Sequence, residues 1–255
     1  MTDSLVFSSR PEFEDPALVL AFEGWNDAGE AASTALRYLL EETAAEPLAR
    51  LPAEDYFDFT VQRPLIRVDP EGLRQIAWPD LEFFHARGQV VFGLGVEPHL
   101  RWRSFCDAVV RLVGETGIRR VVLLGAYLAD VLYSRPVGIS CVGGDPERLS
   151  GLAVESTRYE GPTGVVGVLC HRMLEAGVDT VAFWAGLPHY ITVTPNPRGA
   201  LALVGAASHY LDLAVDSTPL MAQAAEFEQK VSQLVAADPE LANYVKELKR
   251  REFAH

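Results

Sequence analysis

Polar and aromatic side chains follow a short apolar segment near the beginning of the chain. Residues 17–22 form a continuous apolar run with acidic residues on both sides, which predicts a buried strand. Glu23, Trp25, Asn26 and Asp27 come directly after it. Ligands of open α/β sheets bind outside the carboxyl ends of the strands, and a helix N-terminus at that edge attracts anions. This cluster could therefore bind a polar or anionic ligand.

The same cluster also has a purely structural interpretation. Glu30 lies three residues after Asp27, which is the spacing of a helix capping box. Asp27 would then accept hydrogen bonds from the helix amides that a bound anion would need. Gly24 would relieve the turn, and Trp25 would pack against the body of the protein. We therefore predict a capped strand-to-helix turn first and a functional surface second.

Further polar and aromatic residues follow two later predicted strands, residues 119–127 and 180–185. They should gather at the same carboxyl edge of the sheet. A mixed aromatic and polar pocket is the usual composition of a ligand site, but aromatic residues and Arg are equally enriched at protein interfaces. The residues predicted to line this one pocket are Trp25, Asn26, Tyr127, Asp130, Tyr133, Arg135, His189 and Asn196.

Familiar catalytic and metal-binding patterns do not account for these residues. A G-x-G sequence followed by Arg101 and Arg103 could cradle a phosphate. However, Pro98 replaces the third glycine of G-x-G-x-x-G and Glu97 would repel the phosphate, so a tight βα loop is favoured. His189 could act as a general base, but no serine in a G-x-S-x-G turn accompanies it. We assign no catalytic residue, no metal ligand and no cofactor.

Strands and helices alternate along most of the chain, which predicts a three-layer α/β/α sandwich with a mostly parallel, mixed sheet. Residues 81–86 and 90–96 should form a hairpin around Arg87-Gly88. The helix predicted at 100–115 would join strand 90–96 to strand 119–127 in a β-α-β unit, so these two strands should pair in parallel. Further strands are predicted at 17–22, 56–61, 137–142 and 180–185, and further helices after Asp27 and at 165–176 and 198–213, with Gly177 as a C-terminal cap.

The character of the sequence changes after residue 216. Pro219, preceded by Ser217 and Thr218, is a helix start signal. Two amphipathic helices are predicted after it, at residues 220–235 and 239–253. We therefore predict an α/β domain over residues 1–216 and a C-terminal helical hairpin over residues 217–255.

Composition excludes several classes of function. The net charge is −13, which argues against a nucleic-acid partner and against an anionic membrane surface.

Cys106, Cys141 and Cys170 are widely spaced and form no C-x-x-C pair, as expected for buried thiols in a reducing compartment. The N-terminus has no signal-peptide pattern, and no apolar run reaches membrane-spanning length. We expect a cytoplasmic protein.

Four sequence features together resemble the proteasome-assembly-chaperone family. The residues Gly24-Trp25-Asn26-Asp27-Ala28-Gly29 after an apolar strand resemble its signature. Arg63-Pro64, the Tyr159-to-Gly164 stretch before a helix, and Pro188-His189-Tyr190 followed by Asn196-Pro197 agree with it in order. The resemblance extends from residue 17 to about residue 213. It adds Tyr159 to the candidate pocket.

The resemblance implies a fold similar to that of nucleoside phosphorylases, homo-oligomerisation and no established catalytic activity. Eukaryotic and archaeal relatives dock on the proteasome through a C-terminal hydrophobic-tyrosine-any tail. This chain ends in Phe253-Ala254-His255, without tyrosine at the penultimate position. The family name therefore does not imply that kind of docking here.

Three hypotheses of function remain open at this point. The first is a non-enzymatic, assembly-chaperone-like protein that forms homo-oligomers and binds a protein partner. The second is an enzyme or binding protein for a nucleoside or similar small molecule, of the phosphorylase or hydrolase type, although fold alone is weak support for function. The third is a scaffold that captures partners through its C-terminal helical hairpin.

Overall fold

A computed structural model describes residues 5–86 and 89–252. The strands are β1 Val6–Phe7, β2 Ala17–Glu23, β3 Glu46–Leu51, β4 Leu65–Val68, β5 Arg74–Ala77, β6 Leu81–Ala86, β7 Val90–Val96, β8 Arg120–Ala129, β9 Ile139–Gly143, β10 Val154–Ser156 and β11 Asp179–Pro188. The helices are α1 Ala31–Glu42, α2 Trp102–Thr116, α3 Pro146–Leu149, α4 Val165–Glu175, α5 Pro197–Leu211, α6 Thr218–Ala237 and α7 Pro239–Glu252.

Nine of the strands form one mixed sheet in the order β1-β3-β6-β7-β2-β8-β11-β9-β10. The central strands β7, β2, β8 and β11 run in parallel, so their carboxyl ends meet at one edge. Strand β6 pairs antiparallel with β7, which confirms the predicted hairpin; its Arg87-Gly88 connection lies outside the described residues. The predicted mostly parallel, mixed sheet is confirmed.

Helices cover both faces of the sheet. Residues of α1 and α5, such as Leu36 and Leu203, pack with Val19 of β2 in one buried cluster. Residues of α2 and α4, such as Phe105 and Leu169, pack in a second cluster on the other face. Successive side chains of a strand point to opposite faces, so a strand covered on both sides must be apolar throughout. This explains the uninterrupted apolar run of β2 and confirms the three-layer α/β/α sandwich.

The predicted direct pairing of β7 with β8 is wrong. Strand β2 lies between them, with Leu18 opposite Val91 on one side and opposite Val121 on the other. The two outer strands do run in the same direction, as a β-α-β unit requires. The pattern of a β-α-β unit fixes the direction of its strands but does not exclude a third strand from the gap between them.

The predicted strand at residues 56–61 is also wrong. A short 3₁₀ turn, Ala53–Asp55, precedes irregular backbone in which the adjacent Tyr56 and Phe57 are both buried. The ring of Tyr56 meets the ring of Phe105 on α2 edge to face, with 5.2 Å between centroids. In a strand these adjacent side chains would point to opposite faces. Packing both rings on one side therefore requires a turn.

The predicted helices agree with the structure to within a few residues. Gly177 directly follows the C-terminal end of α4 and has a φ angle of +75°, which favours glycine. The predicted end of the last helix, at residue 253, lies outside the described residues. Strands β1, β3 and β10, the short helix α3, and a separate two-stranded hairpin of β4 and β5 were not predicted.

The two C-terminal helices pack over loops at the carboxyl edge of the sheet. Phe227 and Val231 of α6 and Val245 of α7 form an apolar cluster with Leu132 from the loop after β8. Leu220, at the start of α6, is fully buried in the same cluster as residues of α1, α5 and the sheet. The division into domains at residues 216 and 217 stays a prediction. Among the residues described, none of the helices combines the length and apolar character needed to cross a bilayer.

Candidate functional site at the carboxyl edge of the sheet

The segment after β2 is fastened to three other elements through Asn26, whose side chain is fully buried. Asn26 Nδ2 donates a hydrogen bond to Glu97 Oε1, 2.6 Å away, in the loop after β7. The amide of Val165, the first residue of α4, donates to the same oxygen at 2.7 Å. The amide of Ala126 in β8 donates to the Asn26 carbonyl oxygen at 2.8 Å. Asn26 therefore holds β2, β7, β8 and the start of α4 together.

Gly164 completes this arrangement because it has no side chain. A Cβ atom on Gly164 would lie 2.2 Å from Asn26 Oδ1 and 2.6 Å from Glu97 Oε1. Asn26 Oδ1 is buried, accepts no hydrogen bond from the described residues, and lies against this glycine. The carboxylate of Glu97 also meets the partial positive charge at the N-terminus of α4. The site is thus closely packed, and Glu97 holds the helix amide that an anion would need.

Asp27 takes the amides at the start of α1, as predicted, but not through a capping box. Its Oδ1 accepts hydrogen bonds from Ala32 N at 2.7 Å and from Ser33 N at 3.1 Å. A 3₁₀ turn separates Asp27 from α1, and Glu30 adopts a left-handed conformation with φ of +53°, so the predicted box with Glu30 is not formed. Burial raises the pKa of Asp27, while its hydrogen bonds to Ser33 and Ala32 act in the opposite direction.

Asn196 lies against the same segment, as the candidate pocket requires. Its backbone amide donates to the carbonyl oxygen of Gly29 at 2.8 Å. Its side-chain Oδ1 accepts hydrogen bonds from Arg198 N and Gly199 N, each at 3.1 Å, and so caps α5. Asn196 is nearly fully buried. Like Asn26 and Asp27, it is engaged in holding elements together.

The large aromatic side chains near this segment are exposed. Trp25 is 63% exposed and Tyr159 is 66% exposed, whereas the neighbouring Asn26 is 0% exposed. Tyr127 is also exposed, and it follows Ala126, the residue of β8 that bridges to Asp27. The predicted packing of Trp25 against the body is therefore wrong, because the indole projects outwards. The Tyr159 hydroxyl donates to the carbonyl oxygen of Pro162 at 3.0 Å.

Glu23, at the end of β2, is half-exposed and forms an ion pair with Arg37 of α1. Arg101 of the suggested phosphate cradle pairs with Asp55 at 2.8 Å. With Glu97 held by Asn26 and Val165, this region is a structural βα loop, which is the interpretation that the sequence favoured.

His189 belongs to a separate cluster under the last helix. Its Nε2 lies 2.8 Å from Asp130 Oδ1 and 2.8 Å from the hydroxyl of Tyr244 on α7. The Tyr244 hydroxyl donates to Asp130 Oδ1 at 2.8 Å. The hydrogen bond from Tyr244, followed by that from His189, lowers the pKa of Asp130. The same bond to Asp130 is the main reason why the pKa of Tyr244 is raised.

Arg135 lies beside a small cavity between the loop after β8, the end of β11 and the C-terminal helices. The cavity has a volume of about 230 Å³ and a largely apolar lining that includes Leu132 and Phe227. Its charged groups are paired: Arg135 Nε lies 3.3 Å from Glu252 Oε2, and Arg198 Nε lies 3.5 Å from Glu228 Oε2. Such a volume is below the usual range of ligand pockets, roughly 300–1,000 Å³.

The candidate residues fall into three groups, and the single pocket stays a prediction. The first group is the buried polar side chains of Asn26, Asp27 and Asn196, and Asn196 also lines the Arg135 cavity. The second is the exposed aromatic side chains of Trp25, Tyr127 and Tyr159, and the third is the His189 cluster and the Arg135 cavity beside α6 and α7. Sequence reasoning missed Glu97 as the partner of Asn26 and missed Tyr244. Asn26 and Glu97 are too far apart in the sequence for any motif spacing to link them. The only signal for Tyr244 is that it is an aromatic residue on a highly charged helix.

The family is decided by the match of residues 21–235 to the model of the PAC2 family. The chain belongs to the PAC2 family. A PAC2 family protein from Streptomyces avermitilis shares 43% identity over 91% of this chain and 100% of that chain, with a TM-score of 0.82. A proteasome-assembly chaperone homologue from Mycobacterium tuberculosis shares 40% identity over 90% of this chain and 99% of that chain, with a TM-score of 0.80.

A more distant PAC2-like fold is that of an archaeal proteasome activator from Pyrococcus furiosus. It shares 17% identity over 91% of this chain and 98% of that chain, with a TM-score of 0.72, and shows likeness of fold alone. A comparison with curated proteins gives no significant match. The resemblance to the proteasome-assembly-chaperone family that the Gly24–Gly29 signature indicated is confirmed.

Proposed function

We propose that this PAC2 protein is a non-enzymatic, assembly-chaperone-like protein that forms homo-oligomers and binds a protein partner. The observation that carries the proposal is that polar and aromatic side chains at the carboxyl edge of the sheet differ in their contacts and exposure. The polar side chains that could bind a small ligand are engaged in structural hydrogen bonds. The exposed side chains there include the large aromatic residues Trp25, Tyr127 and Tyr159.

The engaged groups leave little for catalysis. Asn26 and Glu97 hydrogen-bond to each other, Asp27 binds the amides of α1, and Asn196 caps α5. The exposed groups, Trp25 among them, are of the type enriched at the centres of protein interfaces. A large amphipathic ring gives much contact area for little loss of side-chain entropy. This composition favours a protein partner over a polar metabolite.

The similarity to known proteins also supports an assembly-chaperone-like function. One solved relative at 40% identity is described as a proteasome-assembly chaperone homologue. A cytoplasmic location is part of the proposal and is supported by the three free, buried cysteines.

The nucleoside-type alternative rests on the Arg135 cavity. It required the loop at residues 93–97, Arg101, Arg135 and His189 to converge on one phosphate-sized space. Instead Arg101 pairs with Asp55, Arg135 pairs with Glu252 and His189 contacts Asp130. The geometry therefore favours the interaction protein over the enzyme.

Affinity capture from the native host tests the proposal. Tagged wild-type protein should retain a defined protein, and the double variant Trp25→Ala/Tyr127→Ala should retain at least about tenfold less, as expected for the loss of interface aromatics. Leu234→Ser, which alters an exposed apolar residue on α6, is the matched control and should capture as the wild type does. Equal capture by all three proteins would contradict the proposed surface.

A further inference from the structure

The hairpin of β4 and β5 stands apart from the main sheet. It forms a separate two-stranded sheet in which Ile66 pairs with Ile76 and Val68 with Arg74. All four of these residues are exposed. Paired residues of antiparallel strands share a face, so Ile66, Ile76 and Val68 form an apolar face turned towards solvent.

The shape of the hairpin is set within its own turn. Asp69 Oδ1 accepts hydrogen bonds from Glu71 N at 3.0 Å and Leu73 N at 2.8 Å, and its Oδ2 accepts one from Gln75 Nε2 at 3.1 Å. Gly72 supplies the positive φ angle, +84°, that the turn needs. The projecting shape therefore does not depend on packing against the body. An isolated two-stranded hairpin is at best marginally stable in water, so further burial would stabilise this one.

Large apolar side chains are exposed along this whole segment. Seven large apolar residues of the hairpin and its base are between 46% and 68% exposed. They lie on both faces of the hairpin, because Leu65 pairs with Ala77 on the face opposite Ile66. Single exposed apolar residues are normal on a monomer, whereas a concentration of them marks an interaction site. The seven residues are Val61, Leu65, Ile66, Val68, Leu73, Ile76 and Trp78.

The charge of the segment differs in sign from that of the rest of the chain. Residues 61–78 contain three arginines against Asp69 and Glu71, which gives a net charge of +1. The whole chain carries −13, so the remainder carries −14. Complementary charge steers association, and like charge opposes it. The three arginines of the hairpin therefore favour contact with the acidic body of a second copy, whereas most of the remaining surface would repel it.

We propose that this hairpin is the docking surface for a second copy of the chain, with the hairpin of one copy lying on the acidic body of the next. The inference rests on the homo-oligomer of the proposed function and names its interface. The interface then joins two different surface patches, one from each copy, and is therefore heterologous. Heterologous interfaces form closed rings when the rotation between neighbouring copies divides a full turn evenly.

Sedimentation velocity at micromolar concentration tests the inference. The wild type should sediment as an oligomer. Ile66→Glu/Ile76→Glu, which places charge in the apolar face, should sediment as a single chain. Met221→Glu/Leu234→Glu is the matched control, because it adds the same charge at exposed apolar positions of α6, and it should remain oligomeric. The variant Arg67→Glu/Arg74→Glu reverses the charge while keeping the apolar side chains, and should also dissociate.

The outcomes distinguish failure of the hairpin interface from failure of the proposed homo-oligomer. An oligomeric wild type with both hairpin variants still oligomeric would overturn the hairpin interface and leave the proposed oligomer standing. A monomeric wild type would overturn the oligomer itself, and the interface with it. If Ile66→Glu/Ile76→Glu lowers the Tm of the body, Arg67→Glu/Arg74→Glu decides the matter, because it leaves the apolar packing unchanged.

Discussion

Asn26 shows how a residue that looks functional in sequence can be structural in the fold. Its carboxamide is buried and donates to Glu97, which also receives the first amide of α4. A buried polar group that loses its partner costs about 1–3 kcal/mol, so these two residues depend on each other. The family signature around Asn26 therefore marks a junction of four elements, next to the exposed Trp25.

Gly164→Ala tests this junction. The added methyl carbon would overlap Asn26 Oδ1, so the Asn26–Glu97 pair must move, and we expect the free energy of unfolding to fall by about 1–3 kcal/mol. Chemical denaturation measures the change. Gly114→Ala is the control: it lies within α2 with open space around it, and should raise stability by about 0.5–1 kcal/mol. Equal stability of the Gly164→Ala variant and the wild type would contradict the described packing.

Sequence reasoning could predict local capping but not this junction. Asp27 was correctly expected to occupy the amides of α1, because capping involves residues only a few positions apart. Glu97 lies 71 positions from Asn26, and their contact depends on how the strands are ordered in the sheet. No local sequence pattern links Gly164 to either residue.

Among the elements, α7 is held to the body by a polar cluster. Tyr244 of α7 donates to Asp130, and His189 contacts both. Tyr190 packs edge to face on Tyr244, with 5.2 Å between ring centroids. These contacts join the last helix to the loops after β8 and β11.

The stability of this attachment should depend on pH. The folded-state pKa of Asp130 is lowered, chiefly by Tyr244, so its contribution is present above the ordinary carboxyl pKa and is lost as pH falls through the folded value. We expect Tyr244→Phe to lower the Tm at pH 7 and to differ less from the wild type as the solution is acidified. Differential scanning calorimetry across a pH series measures this.

Tyr159→Phe is the control for the pH series, because the Tyr159 hydroxyl contacts a backbone carbonyl rather than a carboxylate. It should follow the wild type at every pH. A Tyr244→Phe variant whose deficit in Tm is the same at all pH values would show that its ring, and not its bond to Asp130, holds α7.

Helices and strands were predicted well where apolar residues recur at one regular spacing, or without interruption, along the whole element. The helices at α2, α4 and α5 and the strands β7, β8 and β11 all have such patterns. Residues 56–61 failed because aromatic side chains in an irregular turn have the composition of a strand without its geometry. Strands β4 and β5 were missed because neither face is buried, so alternation of apolar and polar residues was absent.

For the molecule as a whole, the fold class and family could be predicted from the sequence, but the contacts of the candidate residues with the C-terminal helices could not. The loops that follow β2, β8 and β11 do lie at the carboxyl edge of the sheet, as expected. The C-terminal helix α7 contacts His189 through Tyr244 and Arg135 through Glu252, whereas Trp25 and Tyr159 are exposed. The position of two C-terminal helices on a domain is a matter of tertiary packing, which local patterns do not specify.

We propose that the exposed aromatic side chains Trp25, Tyr127 and Tyr159 contact the protein partner. Site-specific photo-crosslinking in the native host tests this most directly, with a photoreactive residue in place of Trp25 and, as the control, in place of Leu174, an exposed apolar residue on α4. We expect a discrete protein adduct from position 25 and none from position 174. No protein adduct from position 25, or the same adducts from both positions, would contradict it.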